Sequence, residues 1–173
     1  AKEYLNPEKG VNTVEEAIQG AEDIIAEEIS DNADYRAFGK RYLYSHALLT
    51  SKEIAKDEKD TYANYADYKE RVKTLPPHRL LAINRGEKEK CLRVKFEYET
   101  EALFSHIAYK YLYRNAFQKE LTDTINDALK RLILPSLETE IWNDKFLEAE
   151  DKSIEVEDFG RGCPMDWNPT EKR

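Results

Sequence analysis

Cysteine, glycine and proline are scarce in this sequence, and each shortage excludes a class of protein. The 2 cysteines, Cys91 and Cys163, stand far apart and have no CxxC partner, which argues against a disulfide framework or a structural zinc site. The 6 glycines and 6 prolines are too few for a β-sandwich or a barrel with many tight turns. We therefore expect a mainly helical chain whose cysteines are reduced thiols, as is usual in the cytoplasm.

Motifs for catalysis and cofactor binding are also missing. The sequence has no GxGxxG, no P-loop and no GxSxG. Each of the 3 histidines, His46, His78 and His106, follows a leucine three positions earlier, which excludes the Glu-x-x-His pairs of a di-iron bundle. We expect no enzyme activity, no metal and no cofactor, and we interpret the histidines as structural or exposed.

Long apolar runs and an excess of positive charge are absent too. No stretch approaches the roughly 18 consecutive apolar residues of a membrane-spanning helix, so no membrane association is expected. The net charge of −8 is the wrong sign for a dedicated nucleic-acid-binding module, without excluding a local basic patch. The chain starts at Ala1 and its only methionine is Met165, so we expect a processed chain or an excised fragment.

Apolar residues at helical spacing predict most of the secondary structure. A capping box at Thr13 to Glu16 opens a first helix that ends near Asn32, and its many carboxylates form a solvated acidic face. The residues at that end, Ser30 to Asn32, can also cap a second helix, which extends to about Leu49. Further helices are predicted over 78–90, with Gly86 as a weak point, and over 101–117, where the alternation of Tyr109, Tyr111 and Tyr113 leaves a strand as an alternative. Another helix is predicted over 121–134 and is interrupted by Pro135. A last helix follows from Ser136, with these residues facing inward: Leu137, Ile141, Trp142 and Leu147.

The segment 91–98 is different, because its apolar residues alternate with charged ones. This period of two predicts a strand, whose partner must lie elsewhere in the chain or its parent. We interpret 51–61 as an exposed loop and 62–68 as a short helix or turn. The predicted fold is a mainly α, multihelical domain over 1–156, with at most a short strand or hairpin near 91–98, followed by an irregular tail over 157–173.

Two clusters of basic residues leave two alternatives open. Guanidinium and ammonium groups bind phosphate and exposed tyrosines stack on bases, so both clusters are candidate nucleic-acid contacts. Alternatively, Glu87, Glu89 and Glu97 neutralise the second cluster, and the tyrosines are half-buried core. The candidate nucleic-acid-binding residues are Arg36, Lys40, Arg41, Arg79, Arg85, Lys88 and Arg93.

Three strings resemble conserved stretches of Tex proteins, a family of bacterial cytoplasmic transcription accessory proteins. They are residues 8–11 with 17–27, the segment 77–89, and 132–138, and the likeness extends over about 4–156. The resemblance implies the helical region before an RNase-H-like domain. It also implies nucleic acid, RNA or DNA, as a partner mainly through domains absent from this chain, such as the S1 domain, and the transcription machinery as a further partner.

The family signature at 77–89 contains charged residues with two possible roles. The signature residues are His78, Arg79, Arg85, Gly86 and Glu87. Arg79, Arg85 and Glu87 are either a nucleic-acid contact or a buried ion-pair network that fixes the helix. The leading hypothesis is a non-enzymatic helical scaffold segment. The alternatives are a protein-interaction module that contacts the transcription machinery and a direct RNA- or DNA-binding surface.

Overall fold

The computed structural model describes residues 5–55, 61–113 and 116–161. Within these ranges the α-helices are Val14–Asp31 (α1), Ala33–His46 (α2), Pro77–Lys88 (α3), Glu101–Tyr111 (α4), Gln118–Asp127 (α5) and Leu134–Arg161 (α6). The strands are Leu48–Glu53 (β1), Asp67–Arg71 (β2) and Leu92–Glu97 (β3). The predicted mainly α class is confirmed. None of the described helices is long and apolar enough to cross a membrane.

The chain forms two compact units. The first comprises Ala1–Leu48, Arg71–Lys73 and Phe96–Ile141, and the second comprises Leu49–Glu70, Thr74–Lys95 and Trp142–Arg173. Aliphatic side chains that are at most 2% exposed form the core of each unit. In the first unit these include Ile29, Leu43, Ile125, Ile133, Leu137 and Ile141, and in the second Leu49, Leu80, Ile83 and Leu92.

Side-chain caps fix the start of α1 and of α2. The hydroxyl of Thr13 accepts from the amide of Glu16 at 3.2 Å, while the Glu16 carboxylate accepts from the Thr13 amide at 3.2 Å. Asn32 ends α1, and its side-chain oxygen accepts from the amides of Asp34 and Tyr35 at 3.0 and 3.2 Å. Because each cap satisfies helical N–H groups that lack intrahelical partners, the predicted boundary between the two helices is confirmed.

Helices α5 and α6 are joined without a break. Residues Ala128–Ile133 adopt π-helical geometry, and Leu134 donates to the carbonyl of Leu129. The prediction that Pro135 separates two helices is therefore wrong, because the π-helical turn leads directly into α6 and Pro135 lies immediately after that turn. On α6, Leu137 and Ile141 are buried as predicted, but Leu147 is 59% exposed and Lys145 and Ala149 are buried instead.

The strands form one sheet in the order β2-β1-β3. The amide of Glu53 donates to Ala66 and that of Ile54 to Cys91, and Thr50 donates its hydroxyl to the carbonyl of Lys95, so β1 has a partner on each side. The predicted strand over 91–98 is confirmed as β3. The sheet has two further strands where the sequence predicted a helix end and loop (β1) and a turn (β2).

The predicted irregular tail is helical at its start. Helix α6 continues to Arg161, five residues into the segment 157–173. The remaining residues of that segment, 162–173, lie outside the described residues. The same is true of 56–60, which fall within the loop predicted over 51–61.

Candidate nucleic-acid interface

The first basic cluster lies on α2, in the first unit. Arg36 donates from Nη2 to the hydroxyl of Ser136 at 2.7 Å and to the carboxylate of Glu140 at 2.5 Å. Lys40 Nζ lies 3.7 Å from the other carboxylate oxygen of Glu140. Arg41 is exposed on the same helix. Two of the three predicted cations therefore have an anionic partner within their own unit, and Arg36 is fixed by a charge-assisted hydrogen bond.

Beside this cluster, α2 and α4 form the two walls of an open groove of about 790 Å³, which we call the basic groove. It is lined by α2 residues between 34 and 41 and by His106, Tyr109 and Lys110 of α4. The rings of Phe38 and His106 stack at a centroid distance of 4.0 Å and an interplanar angle of 14°. Tyr109 is 83% exposed. The groove thus combines stacked rings with the cations of Lys40, Arg41 and Lys110.

The second basic cluster lies in the second unit, and Arg79 is its most constrained member. Its Nη1 lies 3.0 Å from the hydroxyl of Tyr68 and 3.1 Å from the carboxylate of Glu70 on β2. The guanidinium lies 5.8 Å from the centroid of the Tyr68 ring, and Tyr68 also donates to Glu70. Arg79 therefore pairs with Glu70 of β2, while Arg85 and Glu87, the other members of the buried network considered from the sequence, are exposed.

The other members of the second cluster are exposed. Arg85 and Lys88 lie on α3, and Arg93 lies on the exposed side of β3. Lys88 Nζ is 5.4 Å from the centroid of the Phe146 ring, a cation–π distance. Glu89, predicted to neutralise these cations, accepts a hydrogen bond from the hydroxyl of Tyr62 at 2.7 Å. Burial and this carboxylate raise the pKa of Tyr62 to about 12, so its hydroxyl remains a donor near neutral pH.

Comparison with known proteins identifies the family. Residues 1–157 match the family model described as Tex central region-like. The chain belongs to this family. Three relatives are Protein tex of Bordetella pertussis, the Transcriptional accessory protein Tex of Neisseria gonorrhoeae, and S1 RNA-binding domain-containing protein 1 of Homo sapiens.

These relatives are much longer than this chain. Protein tex is 40% identical over 110 residues, covering 61% of this chain and 14% of the relative. The gonococcal protein is 26% identical over 160 residues, covering 87% and 21%. The human protein is 29% identical over 175 residues, covering 91% and 17%. The chain therefore spans less than a quarter of the length of each.

The glycine of the family signature has a packing role in this chain. Gly86 is buried, and a Cβ built on it would lie 2.7 Å from Cδ1 of Leu92 and 3.1 Å from Cδ1 of Tyr62. Glycine thus permits β3 and Tyr62 to approach α3 closely, so Gly86 is a packing site rather than only a weak point of the helix. His78 is exposed, as is Glu87, whose pKa is raised by desolvation.

Sequence reasoning missed the α4 side of the basic groove. His106, Tyr109 and Lys110 recur at spacings of three and four, which places them on one face of a helix. That pattern was available, but the alternation of Tyr109, Tyr111 and Tyr113 left a strand open there. The structure joins α4 to Lys40 and Arg41, whereas the second cluster lies in the other unit. Among the described residues, no group of three or more His, Cys, Asp or Glu side chains could hold a metal ion.

Proposed function

We propose that this chain is a non-enzymatic helical scaffold segment of a nucleic-acid-binding transcription accessory protein. The family match over 1–157 supports the connection to Tex proteins. The names of the gonococcal and human relatives supply the two parts of the proposal, a transcriptional accessory role and an RNA-binding S1 domain. In this proposal the chain positions other domains of a longer cytoplasmic protein, and those domains make most of the nucleic-acid contacts.

The observation that carries the scaffold role is the pairing of the predicted phosphate ligands. Arg36 is bonded to Glu140 and Ser136, and Arg79 is bonded to Glu70 and Tyr68. A guanidinium that already bonds a carboxylate must break that bond, or share it, before it binds phosphate. Both arginines therefore serve first to join separate segments of the chain.

The test is a fluorescence-anisotropy titration of the chain with labelled single- and double-stranded RNA and DNA at low and moderate salt. A flat titration at high protein concentration supports the scaffold role. Affinity that falls steeply with salt concentration would overturn a purely architectural role, because salt dependence reports the release of counterions from phosphates. Arg79→Ala should lower the free energy of unfolding, and the exposed Arg93→Ala, from the same unit, is the matched control.

A second candidate is direct binding of single-stranded nucleic acid at the basic groove. It is favoured by the combination of exposed Tyr109, the stacked Phe38 and His106 rings, and the nearby cations. If it is correct, Tyr109→Ala weakens binding by about 5- to 100-fold, the usual contribution of one stacking side chain. Tyr113→Ala is the matched control, since Tyr113 is 70% exposed and does not line the groove. Equal effects of both substitutions would count against this site.

A further inference from the structure

A second groove of the first unit has the opposite chemistry. Helix α1 and the start of α5 enclose about 680 Å³, lined mainly by aliphatic side chains, and we call it the α1/α5 groove. Ile24 is 68% exposed, Ile18 is 40% exposed, and Phe117, which immediately precedes α5, is 64% exposed. Single exposed apolar residues are common on proteins, but three large ones on one groove are typical of a docking surface.

The charged residues that are described as lining this groove are all acidic. Among the residues that the structure describes, its lining includes Glu16, Glu22 and Glu120 and contains no lysine or arginine. The carboxylate of Glu16 also accepts from the amides of Asn12 and Thr13, at 2.6 and 3.2 Å, which holds it at the N-terminus of α1. An occupant must therefore offer apolar side chains to the groove and positive charges to its edge.

We infer that the α1/α5 groove is a docking site for a basic amphipathic helix of a partner protein. An amphipathic helix places apolar anchors at positions i, i+3, i+4 and i+7 into such a groove, and lysines or arginines beside that stripe reach the three glutamates. The charge pattern disfavours other occupants. Nucleic acid and anionic lipid would meet the glutamates with like charge, and so would the acidic α1 of a second copy of this chain, whose net charge is −8.

The inference extends beyond the scaffold proposal, and its test does not use nucleic acid. The probe is a labelled Leu/Lys peptide of about 18 residues with an amphipathic pattern, which spans about 27 Å as a helix. A Leu/Glu peptide of the same pattern is its counterpart. In anisotropy titrations with the 173-residue chain, the Leu/Lys peptide should bind at least tenfold more tightly than the Leu/Glu peptide, and its affinity should fall with salt.

Substitutions then localise the binding. Ile24→Gln should weaken binding of the Leu/Lys peptide at least tenfold, and Ile18→Gln should weaken it less, while both variants keep the circular dichroism spectrum because these side chains are exposed. Leu147→Gln is the matched control, since Leu147 is 59% exposed on α6 and does not line the groove. In the double variant Glu22→Gln/Glu120→Gln, the affinity for the Leu/Lys peptide should depend less on salt concentration.

Three results would overturn the inference. The first is equal binding of the two peptides. The second is an effect of Leu147→Gln as large as that of Ile24→Gln, because binding would then reflect general adhesion to an acidic protein. The third is a dimer in analytical ultracentrifugation that Ile24→Gln converts to a monomer, which would assign the groove to a second copy of the chain.

Discussion

The two grooves of the first unit have similar volumes, about 790 and 680 Å³, and nearly opposite linings. The basic groove places Lys40, Arg41 and Lys110 beside aromatic rings, whereas the α1/α5 groove places three glutamates beside aliphatic side chains. Net charge averages over such differences. The overall charge of −8 argued against a dedicated nucleic-acid-binding module but left a local basic patch open, and one groove of this unit is lined by three cations. Local lining, rather than total charge, determines what each surface attracts.

The largest contrast should appear between a glycine of α2 and a glycine of α1, the helices that form one wall of each groove. Gly39 lies on α2, where a Cβ would lie 2.6 Å from Cδ1 of Leu137, a side chain that is 0% exposed. We expect Gly39→Ala to lower the free energy of unfolding by about 1–3 kcal/mol, because the core must shift to admit a methyl group. Urea denaturation followed by far-ultraviolet circular dichroism measures this loss.

Gly20 of α1 is the matched control. A Cβ built there meets nothing within 4 Å, so Gly20→Ala should raise the free energy of unfolding by about 0.5–1 kcal/mol through helix propensity alone. A rise in the free energy of unfolding in both variants would break the contrast, because α2 would then need no close approach to Leu137.

A smaller difference in the free energy of unfolding should appear between substitutions of Arg36 and Arg41, the two arginines of α2. Arg36→Ala removes the bond to Glu140 and should lower the free energy of unfolding by about 0.5–1 kcal/mol, a value limited by partial solvent exposure of both side chains. Arg41→Ala, one turn away and exposed, should change it less. Denaturation at low and high salt tests this difference, which should shrink as salt is added. Equal losses at both salt concentrations would mean that Arg36 acts through packing.

The smallest effect concerns the contact between α4, which lines the basic groove, and α1, which lines the α1/α5 groove. Tyr111 of α4 donates to Glu28 of α1 at 3.3 Å, and burial together with the Glu28 charge raises the pKa of Tyr111 to about 12. Because the folded chain keeps this proton when the unfolded chain has lost it, the contribution to stability is complete below pH 10 and is lost between pH 10 and 12.

Tyr111→Phe should therefore make the decline in stability between pH 10 and 12 less steep, with little change at pH 8. Urea denaturation of both proteins across this range is the measurement. An unchanged decline in the variant would show that other groups cause the alkaline loss.

The sequence predicted the elements whose causes are local. The capping box at Thr13, the cap at Asn32 and the alternation in β3 are each contained within a few residues. Strand β1 could not be predicted this way, since its polar residues suggested a loop. Thr50 and Ser51 are buried because their hydroxyls donate to the carbonyls of Lys95 and Tyr65, which are distant in sequence.

The candidate site shows the same difference between features with a local cause and features that depend on residues distant in sequence. The basic residues of α2 were identified from their types and spacing, which a local pattern reveals. Their partners were not, because Glu140 and the α4 side of the basic groove reach α2 only through tertiary packing. Arg79 shows this most clearly, since the sequence placed Glu87 nearby whereas the fold supplies Glu70 from a strand that had not been predicted.

The π-helical turn between α5 and α6 has a consequence for how the length of this helix can vary. Residues Ala128–Ile133 bond with a spacing of five rather than four, so the turn contains one residue more than an α-helical turn. Deleting one residue there should restore regular α-helical geometry and keep Ile125 and Leu137, which are both 0% exposed, on the buried side of the helix. A one-residue gap in an alignment is therefore best accommodated within 128–133, and a gap elsewhere in these helices would turn buried faces toward water.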